Sequence, residues 1–298
     1  MKLGVGTCNG TFGELIQGVF GDSPFLVSLP IKVKSTALFL PNSKSEKISS
    51  LSLSAKPKSE RACQLLLQKY NIQTGGKLLI TSDLPEGKGM ASSSADLIAS
   101  LRAVAACHAL MIDENVISEI TSTIEPSDGI MYRELVAYDY INGRLIEVIG
   151  QLPTMILLGI DTGGTVESTI FNQFPKNYNS EEKQLFLQTL YLLKEGVQKK
   201  DLSFIFKATT ISAKINEKRL AKPFFEEMLK IAEENNGGVV IAHSGTVIGI
   251  LLSPDKSEQE LRFIITKIKE TTGKKVNVYW VGIEEDGEYN EERRGAVQ

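Results

Sequence analysis

The chain has 298 residues, 42% hydrophobic and 23% charged, an ordinary balance for a globular protein and enough for two modest domains or one large one. A formal net charge of −3, with no lysine/arginine cluster interleaved with aromatics, argues against a nucleic-acid partner. Met1-Lys2-Leu3-Gly4-Val5-Gly6 lacks a signal-peptide core and no run approaches the roughly 18 apolar residues of a membrane span, so the expectation is a soluble cytoplasmic protein with no membrane partner.

From Met1 to Leu40 the chain is strand-like, with turn signals at residues 9–10 and 21–24 that predict a hairpin or meander. Polar residues 41–58 read as a loop or edge element, and Arg61–Tyr70 as a helix carrying Leu65, Leu66 and Leu67. Lys77–Thr81 is a β-run. Beyond it, Leu97, Leu101, Val104, His108 and Met111 recur at helical spacing, and a shorter helix is predicted near Asn115–Thr123. Glu134–Tyr140 and Arg144–Ile149 flank Asn142-Gly143, a strong hairpin signal. Leu152–Ile160 suits a buried strand, with Asp161-Thr162-Gly163-Gly164 at its exit. Ser180–Asn235 reads as helical almost throughout. Strands to Ala242 and Leu252, a helix over 257–272, a strand Val276–Val281 and a charged tail, Glu284–Gln298, complete an α+β pattern without internal repeats.

The junction Leu84-Pro85-Glu86-Gly87-Lys88-Gly89-Met90-Ala91-Ser92-Ser93-Ser94-Ala95-Asp96 carries the chemistry. It passes from a strand end through a glycine-rich turn into a helix, where unpaired amides and the positive end of the dipole face an anion. Gly87 and Gly89 let backbone approach that anion, while the serine hydroxyls can donate to phosphate or help to hold its Mg²⁺. A serine-capped helix start that binds nothing accounts for the same residues. The loop is not a Walker A loop, because Lys88 lies between the glycines. Cys8, Cys63 and Cys107 are too scattered for a metal clip and fit reduced thiols; two histidines, His108 and His243, argue against multi-histidine metal chemistry.

The order of residues resembles the GHMP kinases, whose nucleotide loop reads roughly Pro-x-Gly-x-Gly-Leu-Gly-Ser-Ser-Ala-Ala. Pro85, Gly87, Gly89, Ser92, Ser93 and Ala95 match, whereas Met90, Ala91 and Ser94 depart in the manner of one branch, the PduX-type L-threonine kinases. Three further blocks are similar to that branch in the same order: Gly10-Thr11-Phe12-Gly13-Glu14-Leu15-Ile16-Gln17-Gly18, in which Asn9 replaces the usual preceding proline; Ile124-Glu125-Pro126-Ser127-Asp128-Gly129-Ile130-Met131; and Gly237 to Thr246.

That resemblance implies a two-lobed fold: a β-rich N-terminal lobe over residues 1–150 with the phosphate loop and helix, a ferredoxin-like C-terminal lobe over 151–283, and the tail 284–298 beyond. It implies ATP and Mg²⁺ as cofactors. Pro85, Gly87, Lys88, Gly89, Met90, Ala91, Ser92, Ser93 and Ser94 would hold the nucleotide, with Lys88 adding charge over the phosphates or standing as a solvated loop lysine. Ser93 and Glu125 would hold the metal, unless Glu125 is an ion-paired surface residue. Asp128 would accept the substrate hydroxyl proton, although it sits one residue short of the family's Pro-Ser-Gly-x-Asp spacing and could instead bind an amino group or cap a helix.

Glu14 and Gln17 would line the alcohol pocket. Glu14, Asp128 or Asp161 could receive a substrate ammonium, and Thr162, Gly163 and Gly164 amides, or Ser244 and Thr246, a carboxylate. Glu167 stands where that branch is expected to carry aspartate. His108 reads as a packed helix residue, His243 as close to substrate or phosphate or as a support for its turn. The activity implied is phosphorylation of the side-chain hydroxyl of a small amino acid, L-threonine foremost, in cobalamin side-chain assembly. The alternatives are a kinase for serine, homoserine or a secondary-metabolism amino acid, and a catalytically silent ligand sensor. The sequence admits a homodimer without arguing for one.

Overall fold

Strands β1 (Gly4–Phe20) and β2 (Ser23–Asn42) form one long antiparallel hairpin, paired from Gly4↔Phe39 to Phe20↔Ser23, in a computed structural model that describes residues 2–21, 23–52, 55–166 and 178–282. The turn signal at residues 9–10 proves to be a register shift inside β1, between Asn9 and Thr11. Gly10 serves close packing there, since a Cβ on it would lie 2.3 Å from the Leu84 side chain.

Strand β4 (Gly75–Ser82) extends this hairpin, with β3 (Ile48–Ser50) parallel to it at the edge, and β5 (Leu135–Asp139) and β6 (Arg144–Gly150) form the hairpin about Asn142-Gly143. Helix α1 (Pro57–Lys69) starts on a proline, α2 (Ser92–His108) is buried along most of its length against β1 and β2, and α3 (Glu114–Ser122) follows. The apolar stripe does not reach Met111: Ala109 takes a left-handed conformation that ends α2, and Met111 is 93% exposed.

The second half runs β7 (Met155–Asp161), α4 (Ser180–Lys199), α5 (Leu202–Glu217), α6 (Phe225–Glu234), β8 (Gly238–Ile241), β9 (Val247–Leu252), α7 (Glu258–Thr272) and β10 (Asn277–Val281). Capping boxes at Asn179/Glu182 and Ser257/Glu260 start α4 and α7. The strand order β10-β7-β9-β8 is that of a ferredoxin-like βαββαβ unit, and pairing of β8 with β1 at Glu14↔Ile241 joins it to the first half in one sheet. Alternation along β7 sends Met155 and Leu157 into the larger core with Phe12, Leu97 and Phe186, and Ile156, Leu158 and Ile160 into a second core with Val239, Met228 and Ile264. Sheet and larger core therefore both cross residue 150. Among the described residues no helix is long and apolar enough to cross a membrane. Glu167 and the tail Glu284–Gln298 lie outside the described residues.

Candidate active site

The glycine-rich turn is strapped to its surroundings through its carbonyls, whereas the helix start that follows has no such partner among the described residues. Thr11 and Gly13 of β1 donate to Met90 O and Gly89 O at 3.1 Å each, Thr246 donates to Lys88 O at 3.0 Å, and Val166 to Gly87 O at 2.9 Å. The N-cap of α2 is Ala91, left-handed at φ 56° and without a side-chain cap, so the first-turn amides have neither an intrahelical partner nor a capping oxygen among the described residues. An anion is the complement of such an end. Gly89, at φ 79°, has a second duty: a Cβ on it would lie 2.3 Å from that of Ala242, so its missing side chain admits the β8–β9 loop.

A cavity of about 560 Å³ opens over this helix end. Of the residues expected to form the site, its wall holds Glu14, Gln17, Gly87, Gly89, Met90, Ala91, Ser92, Ser93, Ser94, Glu125, Asp128 and Ser244. Pro85, Lys88, Asp161, Thr162, Gly163, Gly164, His243 and Thr246 are not on it. Lys88 turns toward the C-terminal half, its ammonium 2.7 Å from Asp161 Oδ2 and 2.6 Å from the Gly164 carbonyl. Asp161 also accepts from the Thr246 hydroxyl at 2.6 Å and the Gly163 amide at 2.9 Å, and Thr162 donates to the Thr246 carbonyl. These residues brace one another at the strand exit. His243 is buried behind the wall, where its backbone N–H and Nδ1 lie 2.9 and 2.7 Å from Glu14 Oε2. His108 is remote from the cavity, its ring against Phe39 with centroids 6.1 Å apart.

Two carboxylates meet the serines of the helix end. The Ser93 hydroxyl donates to Glu125 Oε1, whose second oxygen pairs with Lys58. The Ser94 hydroxyl donates to Asp128 Oδ2 at 3.1 Å and accepts from the Asp128 amide at 3.3 Å. Burial, reinforced by the nearby Glu14 and Glu125 charges and opposed by Ser94, pushes Asp128 up to about 7. A carboxyl titrating there can exchange a proton near neutral pH. Ser93 and Glu125 offer adjacent hard oxygen donors at the helix end, of the kind that suits Mg²⁺.

Sequence reasoning missed Lys56, Lys58, Asp96, Ser127 and Tyr140, all on the cavity wall. Lys56 pairs with Glu86 at 2.6 Å and with the buried Asp96 at 3.0 Å, and Asp96 also accepts from Ser35 at 2.6 Å. Lys56-Pro57-Lys58 did carry a signal: two lysines beside the first proline of a helix oppose its dipole, a local conflict that marks a site.

Residues 58–131 match the GHMP kinases N terminal domain. That segment holds almost all of α1, the glycine-rich turn, α2 and Asp128, so the part of the chain that carries the open helix end is similar to the N-terminal domain of GHMP kinases. The full sequence is 29% identical to the L-threonine kinase of Citrobacter freundii over 93% of this chain and 94% of that one. It is 27% identical to the L-threonine kinase of Salmonella typhimurium over 94% and 91%. A crystal structure of homoserine kinase from Cytophaga hutchinsonii superposes with a TM-score of 0.73 at 15% identity, covering 95% of this chain and 96% of that one, a likeness of fold.

Proposed function

We propose that the protein transfers the γ-phosphoryl group of ATP to the side-chain hydroxyl of L-threonine, yielding O-phospho-L-threonine and ADP. The observation that carries this reading is Asp128: its carboxyl, held near neutral pKa, is bonded to Ser94 in the same uncapped turn that would hold the triphosphate. The nucleophile and the phosphates would therefore meet within one wall of the cavity. Phosphoryl transfer asks for positioning and charge neutralisation more than covalent work, and the wall supplies both.

In this reading the amides of Ser92 to Ser94 and the Ser92 hydroxyl cradle the phosphates, while Lys56 and Lys58 supply positive charge from the facing helix start. Ser93 and Glu125 would hold Mg²⁺, which would supply charge neutralisation for the phosphates. Asp128 accepts the hydroxyl proton as the oxygen attacks phosphorus. Glu14 and Gln17 close the acceptor end of the cavity. The full-length similarity to two proteins named L-threonine kinase supports threonine as the acceptor.

The test is ADP release by purified protein with ATP and Mg²⁺ across a panel of hydroxy amino acids, mevalonate and sugars. Turnover with L-threonine well above the rest is the expected result. Turnover with another acceptor alone transfers the reading to that alcohol, and nucleotide binding without any turnover replaces it with a ligand sensor.

A further inference from the structure

Around Glu14 the fold buries three side chains with polar atoms that find no hydrogen-bond partner among the described residues: Gln17 through Oε1, Ser127 through Oγ and Lys222 through Nζ. All are more than nine-tenths buried, at 3%, 2% and 6% exposure. Buried polar atoms in folded proteins are almost always paired, and a buried ammonium left alone is the costliest case, so this grouping calls for a missing partner.

Lys222 lies in the connection between α5 and α6, after a helix that is tied to Gln17 of β1. Asn216 donates to the Gln17 carbonyl at 2.8 Å, Gln17 N–H donates to Ser212 at 3.1 Å, and the Lys222 backbone donates to Glu217 Oε1 at 2.8 Å. Pro223 then limits how far the segment can move. The lysine side chain is not paired with Glu217, whose second carboxylate oxygen is itself without a hydrogen-bond partner among the described residues. Burial pushes the Lys222 ammonium down to about 8, against the pull of Glu14 and Glu217, so its charge is poorly compensated as it stands. Glu14 acts on the Lys222 charge, so the carboxylate of β1 and the cation of the α5–α6 connection lie within electrostatic range, with Glu14 and Gln17 on the cavity wall and Lys222 behind it.

We propose that Lys222 binds the carboxylate of an α-amino acid acceptor, with Glu14 and Gln17 Oε1 taking its ammonium, so that this corner reads the zwitterion while the side-chain hydroxyl faces Asp128. An α-amino acid carries its two charges on one carbon, which matches a cation and an anion within electrostatic range of each other. A sugar or an uncharged alcohol offers nothing to satisfy either. The inference rests on the reading of the protein as an amino acid kinase, and it assigns the carboxylate to a residue outside the Asp161–Gly164 and Ser244–Thr246 loops.

Steady-state kinetics of the full chain with L-threonine and with L-threonine amide, which lacks the carboxylate charge, test it. Lys222→Met is expected to raise KM for L-threonine about 100-fold, leave KM for ATP and for the amide unchanged, and so erase the preference for the free acid; Lys222→Arg restores part of it. Equal changes for both substrates, or none, overturn the carboxylate role. If Lys222→Met does not fold, the wild type decides: a clear preference for L-threonine over its amide supports the inference, and equal KM values overturn it. Wild-type protein that phosphorylates no hydroxy amino acid overturns the proposed function and this inference together, an outcome distinct from loss of the carboxylate role alone.

Discussion

Asp128 is where proton chemistry and stability pull in opposite directions. Its folded value near 7 lies above the ordinary 3.8, so the fold favours the protonated acid. Ionisation therefore costs stability progressively as pH rises between those two values, while turnover needs the ionised form. Two outcomes are expected of Asp128→Asn. Its kcat falls by about 10²- to 10⁴-fold and loses the rise through about pH 7 that the wild-type profile should show; its melting temperature exceeds that of the wild type by more at pH 8 than at pH 5.5. An unchanged profile removes the base role. Ser93→Ala and Glu125→Gln should each raise the Mg²⁺ concentration for half-maximal rate about 10- to 100-fold while a melting scan without ligand stays nearly flat; an unaltered Mg²⁺ requirement sends the metal elsewhere. That Asp128, Ser93 and Glu125 belong near one another was legible in the sequence because each lies in a short ordered block, and all three line the cavity. Lys222 was not singled out, since a lone lysine before a proline carries no local sign that folding will bury it.

The strand, turn and helix from β4 to α2 show why some elements are legible and others are not. Glycines, serines and an apolar stripe are local signals, so the phosphate loop could be placed from sequence; the end of the helix at Ala109 could not, because nothing in an alanine announces a left-handed residue. The same elements separate packing from backbone strain. Gly89 and Gly273 both have positive φ, at 79° and 65°, but a Cβ on Gly273 meets nothing within 4 Å whereas one on Gly89 strikes Ala242. Gly273→Ala is expected to cost about 1 kcal/mol and leave KM for ATP alone. Gly89→Ala should cost about 2–4 kcal/mol and raise KM for ATP as well, because the loop cannot yield without moving the helix end. Urea titrations with matched kinetics check the pair, and equal effects at both positions contradict the account.

The whole molecule is one sheet folded around two cores, and its site exists only where the halves meet: Glu14 of β1 binds His243 of the β8–β9 loop, and the carbonyls of the phosphate loop receive amides from both halves. Ordered motifs made both halves legible in the sequence, but which loop residues would face the cavity depended on long-range contacts such as Lys88 with Asp161, which spacing does not encode. Unfolding should therefore be a single transition, and ATP at about 100 times its Kd should add about 2.7 kcal/mol, or about 4 °C in melting temperature for a chain of 298 residues; two separate transitions, one blind to ATP, would contradict this. The most direct test is a crystal structure with a non-hydrolysable ATP analogue and L-threonine. The β- and γ-phosphate oxygens are expected within about 3 Å of the amides of Ser92 to Ser94, with the threonine hydroxyl facing Asp128. A triphosphate seated anywhere else, with that helix end left to solvent, contradicts the account.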